Sequence, residues 1–286
     1  MIDLHTHLLP DWDDGAKDWD EMFKMAEIAQ QDGIEKIVLT PHIFRLTKYN
    51  NDFEVLKKRM NQHKMRTLKL KVKFYRGAEV FFHHEMIEAI ENNKLTINKS
   101  KYVFLEFPSD FVISNVKDLL FKLMIKNFIP IISHPERNNF FLKNPQMLYE
   151  LVKMGCYAQL TAKSISGEYG REIKKISKLF LRYNLVHVIA SDAHDPEKRP
   201  PILSIGVKAA TRIVGEEKAR AMVTSVPEAI LKNECIPDLG DPFDPIRKKK
   251  WLGHTYSSSE EDSGKRHKMM NLGDQFIKNY EKMSMG

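Results

Sequence analysis

Seven short runs of apolar, β-branched and aromatic residues recur along the chain, each followed by a stretch with helical spacing, and this alternation restricts the fold more than any other feature. The runs occupy residues 1–7, 37–40, 70–75, 102–107, 129–132, 156–160 and 186–190. Helices are expected between them over 18–31, 52–68, 84–91, 114–126, 144–154 and 169–183, and beyond them over 201–214 and 216–231. Asp18 and Ser114 are N-cap residues by type, Gly33 stops the first helix and Pro41 closes the second strand. Pro227 is expected to break the last helix.

Strands separated by helices pair in parallel through right-handed crossovers, and this many units predicts an α/β barrel. An open doubly wound sheet is the alternative, but no Gly-Xaa-Gly-Xaa-Xaa-Gly follows any strand. Residues 1–236 read as the folded domain, and 237–286 as a linker rich in Asp and Pro followed by a basic, flexible tail.

Charge is uneven. The net charge is +7, of which residues 245–286, with nine Lys/Arg and five Asp/Glu, carry +4. The remaining 36 Lys/Arg and 33 Asp/Glu are nearly balanced, and no base-reading or base-stacking motif accompanies them, so nucleic acid is not an expected partner. No apolar run approaches the ~20 residues of a membrane span. The N-terminus has no basic and then apolar leader, so a cytoplasmic protein is expected. Two cysteines, Cys156 and Cys235, make neither a disulfide framework nor a Cys-Xaa-Xaa-Cys metal site.

The chemistry-bearing residues follow the strands. Side chains alternate faces along a strand, so His5 and His7 point the same way, one pleat apart, and neutral imidazole is the commonest histidine metal ligand. Asp13 and Asp14 lie in the next loop, His42 ends the second strand, Glu79 follows the third and Glu106 is in the fourth. His134 ends the fifth, and Asp192 and His194 follow the seventh. In parallel barrels the C-terminal strand ends converge, which predicts a metal site at that rim. Imidazole and carboxylate without thiolate favour Mn, Fe or Zn, and more ligands than one ion needs imply two or three ions.

Five ordered motifs then become specific. Asp3-Leu4-His5-Thr6-His7, Thr40-Pro41-His42, Gly77-Ala78-Glu79, Ser133-His134-Pro135-Glu136-Arg137 and Ser191-Asp192-Ala193-His194 resemble those of the PHP (polymerase and histidinol phosphatase) superfamily. The branch most resembled is the bacterial protein-tyrosine phosphatases of capsule and exopolysaccharide operons, through Asp11-Trp12-Asp13-Asp14-Gly15, residues 154–157 and Arg199-Pro200-Pro201. The similarity spans about residues 1–235 and leaves the basic tail outside.

That resemblance implies a distorted seven-stranded β/α barrel with three metals. His5, His7, Glu79 and Asp192 would hold one ion, with Glu79 bridging to a second bound by Glu106 and His134. Asp14, His42 and His194 would hold the third. Many superfamily members have His where Asp14 and Glu106 stand, a departure that fits the tyrosine phosphatase branch. Arg137 and Arg199 resemble phosphate-binding arginines, whose planar forks grip phosphate oxygens.

The implied reaction is hydrolysis of phosphotyrosine on protein by a hydroxide bridging two metals, with the tyrosine-rich tail of a bacterial tyrosine autokinase controlling polysaccharide export as substrate. A phenolate with pKa about 10 leaves without a dedicated general acid. A thiol route is not indicated, because Cys-(Xaa)5-Arg would need Arg where Ala162 and Asp241 stand. Two alternatives compete: a histidinol-phosphate or other small-molecule phosphomonoesterase of the same superfamily, and a non-catalytic binding module whose basic tail contacts a partner or an anionic membrane weakly.

Overall fold

The structure, a computed structural model, describes residues 1–43, 70–109 and 115–245, together with Val55, Leu56, Lys58, Arg59 and Asn61. Those five residues are helical. The rest of the helix expected over 52–68, the Ser114 cap and the tail beyond 245 lie outside the described residues.

Among the described residues nine strand segments pair entirely in parallel. Segments β1 (Ile2–Thr6), β2 (Lys36–Leu39) and β4 (Lys73–Arg76) form one sheet in the order β1-β2-β4. The second sheet runs β3 (His42–Ile43), β5 (Glu79–Phe81), β6 (Tyr102–Glu106), β7 (Ile129–Ile132), β8 (Tyr157–Thr161) and β9 (Val188–Ala190) in that order. Beyond β9 the chain returns to β1: the Asp192 N–H donates to His5 O at 2.9 Å and the His7 N–H to Ala193 O at 2.8 Å.

Each of the seven expected runs holds one strand segment, and two further segments, β3 and β5, lie beyond the ends expected for the second and third runs. The second breaks at Thr40-Pro41, where proline has no N–H for the ladder. The third breaks at Gly77-Ala78. There the backbone passes so close to its neighbour that a Cβ on Gly77 would lie 2.8 Å from Val38 Cγ1, so only glycine fits. Each break moves the chain from the first sheet to the second, carrying His42 and Glu79 with it.

The helices obey their sequence signals closely. The Asp18 carboxylate accepts the Glu21 N–H at 2.8 Å at the start of α1 (Trp19–Gln31), which buries Met22, Met25, Ala26 and Ala29. Next come α2 (Met86–Asn93), α3 (Val116–Ile125), α4 (Asn139–Lys143), α5 (Pro145–Met154), α6 (Ala162–Ser166), α7 (Arg171–Arg182), α8 (Ser204–Val214), α9 (Glu216–Ala221) and α10 (Ser225–Leu231). The short α4 and α6 were not expected. The last break falls at 222–224, not at Pro227, which sits in the first turn of α10 where no intrahelical N–H is needed. No helix of the described residues is long and apolar enough to cross a membrane.

Residues 237–245, expected as a linker, are tied to the body. Asn184 Nδ2 donates to Leu239 O and Asp241 O at 3.1 Å, Lys218 Nζ donates to Leu239 O at 2.7 Å, and the Phe243 N–H donates to Tyr183 O at 2.8 Å.

A buried histidine at the N-terminal end of β9, away from the C-terminal strand ends, makes folding stability depend on acid. His187 accepts the Ala158 N–H on Nδ1 at 3.3 Å and packs edge-on to Tyr157. Burial, with a smaller push from Lys218, lowers it from 6.5 to about 3. The unfolded chain therefore takes up a proton that the folded one refuses, so stability falls as pH drops from about 6.5 towards 3. Between pH 7 and 5 this costs about 2 kcal/mol. In urea titrations His187→Phe should lose less stability than the parent over that interval; equal losses would remove the assignment.

Candidate metal centre

The loop after β1 is folded back on its own strand. The Ala16 N–H donates to His7 O at 3.0 Å, and a Cβ on Gly15 would lie only 1.8 Å from that oxygen, so residue 15 must be glycine. This fold-back brings Asp13 and Asp14 over the histidines. Asp13 Oδ2 accepts from His7 Nδ1 at 2.8 Å and from the His42 N–H at 2.9 Å. On the other side, Gln159 Oε1 accepts from His5 Nδ1 at 3.1 Å and from the His134 N–H at 3.2 Å.

Those outer bonds fix the tautomers. A ring whose Nδ1–H is occupied presents the Nε2 lone pair, and both His5 and His7 present it to the same space. Their Nε2 atoms stand 3.2 Å apart. Glu79 fills the centre. Its Oε1 is 3.3 Å from His5 Nε2 and 3.0 Å from His134 Nε2, and its Oε2 is 2.9 Å from His42 Nδ1 and 3.6 Å from His7 Nε2. Asp192 Oδ1 lies 3.6 Å from His5 Nε2 and 3.5 Å from His7 Nε2. Asp14 Oδ1 is 3.4 Å from both His42 Nε2 and His194 Nε2, and Glu106 Oε2 is 3.5 Å from His42 Nδ1.

All nine expected ligand residues therefore meet. Their donor atoms fall into four overlapping sets, each within 4.8 Å: His7, Asp14, His42 and His194; His5, His134 and Asp192; His5, His7 and Glu79; and His42, Glu79 and Glu106. The grouping differs from that implied by the resemblance in three respects: Glu106 falls with His42 and Glu79 rather than with His134, Asp192 falls with His5 and His134 rather than with His7 and Glu79, and His7 joins Asp14, His42 and His194.

The electrostatics suit cations. Imidazole lone pairs and carboxylate oxygens converge at 3 to 4 Å, with little exposure except at Asp14, whose side chain is 38% exposed, and such an arrangement repels itself unless positive charge enters. Burial opposes charge on Glu79, yet His5 and His42 hold its carboxyl well below the usual range. Burial also pushes His5 down, but Glu79 and Asp192 outweigh it and raise it to about 9. Burial lowers His134 and His194 to about 4, aided by Arg137 and His7 respectively, so both rings keep a lone pair at neutral pH. A divalent ion would supply the missing charge while leaving the rings neutral, so these residues fit a metal cluster.

Beside the cluster, Asp192 Oδ2 accepts from both arginines expected to hold phosphate: Arg137 Nη2, and Arg199 Nη2 at 2.7 Å. Burial opposes ionisation of Asp192, and the two guanidiniums hold it well below its ordinary value. The Tyr169 ring lies 5.6 Å from the Arg137 guanidinium carbon. A cavity of about 200 Å³ opens here, bounded by Asp14, Glu106, His194 and both arginines, with Phe107 as its one apolar wall among the described residues. Two ligand positions have left-handed backbone, His134 (φ 30°) and Asp192 (φ 54°), conformations that surrounding structure must impose on non-glycine residues. Cys156 is buried, which pushes its thiol up and away from nucleophilic use.

Sequence reasoning did not assign Asp13 and Gln159, the residues that orient His7 and His5. Gln159 had one signal, an amide in an otherwise apolar strand. Asp3 is a third: it is buried and accepts the Ser191 N–H at 3.0 Å, joining β1 to the loop that carries Asp192.

Comparison with known proteins agrees with this geometry. The family described as capsular polysaccharide synthesis, CpsB/CapC, matches residues 1–232. The chain belongs to that family. It is similar to CapC of Staphylococcus aureus, 34% identical over 262 residues that cover 88% of this chain and 99% of that protein. It is similar too to YwqE of Bacillus subtilis, named a tyrosine-protein phosphatase, 33% identical over 256 residues with 88% and 99% covered. A solved structure from work on YwqE and on CpsB of Streptococcus pneumoniae, described as metal-dependent tyrosine phosphatases, superposes with a TM-score of 0.79. It is 32% identical and spans 85% of this chain and 99% of its own. The CpsB/CapC match ends short of the basic tail.

Proposed function

We propose that this CpsB/CapC chain is a metal-dependent protein-tyrosine phosphatase. The observation that carries the reading is one carboxylate, Asp192, shared between the imidazole cluster and two arginines, so that cation binding and phosphate binding are built on the same residue.

In this reading the nine strand segments act as seven staves of a distorted barrel, with the cluster at the C-terminal rim. Residues 1–236 form the phosphatase domain, 237–245 are bonded back onto it, and the basic tail follows. His5, His7, Asp14, His42, Glu79, Glu106, His134, Asp192 and His194 hold two or three divalent ions, Mn by preference, with Fe or Zn possible on the donor set. Such ions supply a water acid enough to lose its proton near neutral pH and counter-charge for phosphoryl oxygens.

The chain's own residues do the rest. Arg137 and Arg199, pinned to Asp192, offer forked N–H donors to phosphate oxygens before substrate arrives, so little reorganisation is needed as charge builds. Phe107 offers the phenyl ring an apolar wall. Asp13 and Gln159 hold the His7 and His5 rings in the ligating tautomer. The natural substrate is the phosphotyrosine-bearing tail of a bacterial tyrosine kinase in the cytoplasm, and the basic tail adds at most a weak partner or membrane contact.

The test pairs metal with substrate. Chelator-treated protein should lose phosphotyrosine-peptide hydrolysis to background and regain it with Mn, with two to three ions bound per chain. Turnover of histidinol phosphate but not of the peptide would sink the tyrosine phosphatase reading, and inertness under every metal would support a binding module.

A further inference from the structure

Helices α7 and α8 carry a second feature that the metal chemistry does not use. On α7, Lys174, Lys178 and Arg182 recur at intervals of four and form one stripe; on α8, Lys208 and Arg212 form another. Between the stripes lies a groove of about 450 Å³ whose floor is Ile165, Ile205, Ala209 and Ile213. Among the described residues, none of these five cations meets a carboxylate within ion-pair distance; Lys174 donates to Ser166 O at 2.7 Å. Like charges at intervals of four along a helix are unfavourable for folding, so five cations lining one apolar groove point to a use outside folding.

The chain links the groove to the candidate metal centre through α6. This helix leaves β8 at Ala162, and its last residue, Ser166, lines the groove. Its Lys163 Nζ donates to the backbone oxygen of Lys198, the neighbour of Arg199, at 2.7 Å. Three residues beyond Ser166, the Tyr169 ring lies against Arg137.

We infer that this groove is a docking site for an acidic protein segment with apolar side chains at intervals, flanking the phosphotyrosine of the substrate. The complementarity decides the chemistry: cationic walls want carboxylates, and an isoleucine-lined floor wants aliphatic side chains. The surface is concave, which suits a peptide better than a flat bilayer. Among the described residues it has no aromatic side chain on which bases would stack, which disfavours single-stranded nucleic acid. The role as a substrate contact rests on the phosphatase reading; binding of the segment does not.

The test uses the full chain and the double variant Lys178→Glu, Arg212→Glu, neither position being part of the metal centre. Two phosphotyrosine peptides share a core, and one carries an added Glu-Glu-Leu-Ile-Glu-Glu flank. The flank should lower KM about tenfold in the parent with kcat unchanged, and lose that advantage in the variant and at high salt, while turnover of free phosphotyrosine stays equal. The unphosphorylated flank, fluorescently labelled, should bind the parent at least tenfold tighter than the variant. If both peptides turn over with equal KM and the labelled flank does not bind, the groove assignment falls and the phosphatase reading stands. If neither peptide turns over but the flank binds and the variant loses it, the groove stands and the phosphatase reading falls. Binding to phosphatidylserine vesicles but not to the flank would overturn the peptide in favour of a membrane.

Discussion

Glu79→Gln should lower phosphotyrosine hydrolysis about a thousandfold, ~4 kcal/mol of barrier, and lower the number of metal ions retained per chain. The substitution keeps shape and removes only charge. Glu79 is fully buried, and its two oxygens lie between 2.9 and 3.6 Å from four imidazoles, His5, His7, His42 and His134. Among the described residues no other carboxylate touches so many ligand rings, and its loss removes a donor from two of the four overlapping sets. An amide also cannot bridge two cations as a carboxylate does, and its NH2 would face imidazole nitrogens that should be offering lone pairs. Metal analysis and steady-state kinetics on the same preparation check this. Full metal content with kinetics within tenfold of the parent would show that Glu79 is structural.

The second large effect belongs to Arg137. Arg137→Ala should cost roughly a hundred- to a thousandfold in kcat/KM, the range typical of losing one preorganised donor to a charged transition state. Arg137→Lys should recover less than a tenth of the loss, because an ammonium cannot reproduce the fork or its seat beside Tyr169. Arg199→Ala should be milder, since Arg199 makes the same bond to Asp192 but has no aromatic partner among the described residues. In all three variants metal content should hold, separating phosphate binding from metal binding. Loss of metal in Arg137→Lys would mean that the arginine mainly holds Asp192 in place.

Much of this architecture is legible one segment at a time. The Asp18 cap, the buried stripe of α1 and the strands around residues 102–106 and 129–132 follow from side-chain type and period, which are local properties. The interruptions at Pro41 and Gly77 are less legible. A proline reads as an end, but whether the chain then joins a different sheet depends on which strand lies alongside. The same reason hides the break at 222–224: Pro227 attracts attention as a helix breaker, yet in a first turn it breaks nothing.

The sequence by itself determined the donor inventory and its order: His5, His7, Asp14, His42, Glu79, Glu106, His134, Asp192 and His194, each beside a strand-like run and none a thiol. Only the tertiary structure decided how they are shared. It put Glu106 with His42, gave Asp13 and Gln159 the work of orienting rings, and hung both arginines on one oxygen of Asp192. The reason is physical. Residue type and alternation are encoded over a few neighbours, whereas distances of 3 to 4 Å between positions up to 187 apart, such as His5 and Asp192, arise only when parallel strands are laid side by side and the backbone after β9 bonds back to β1.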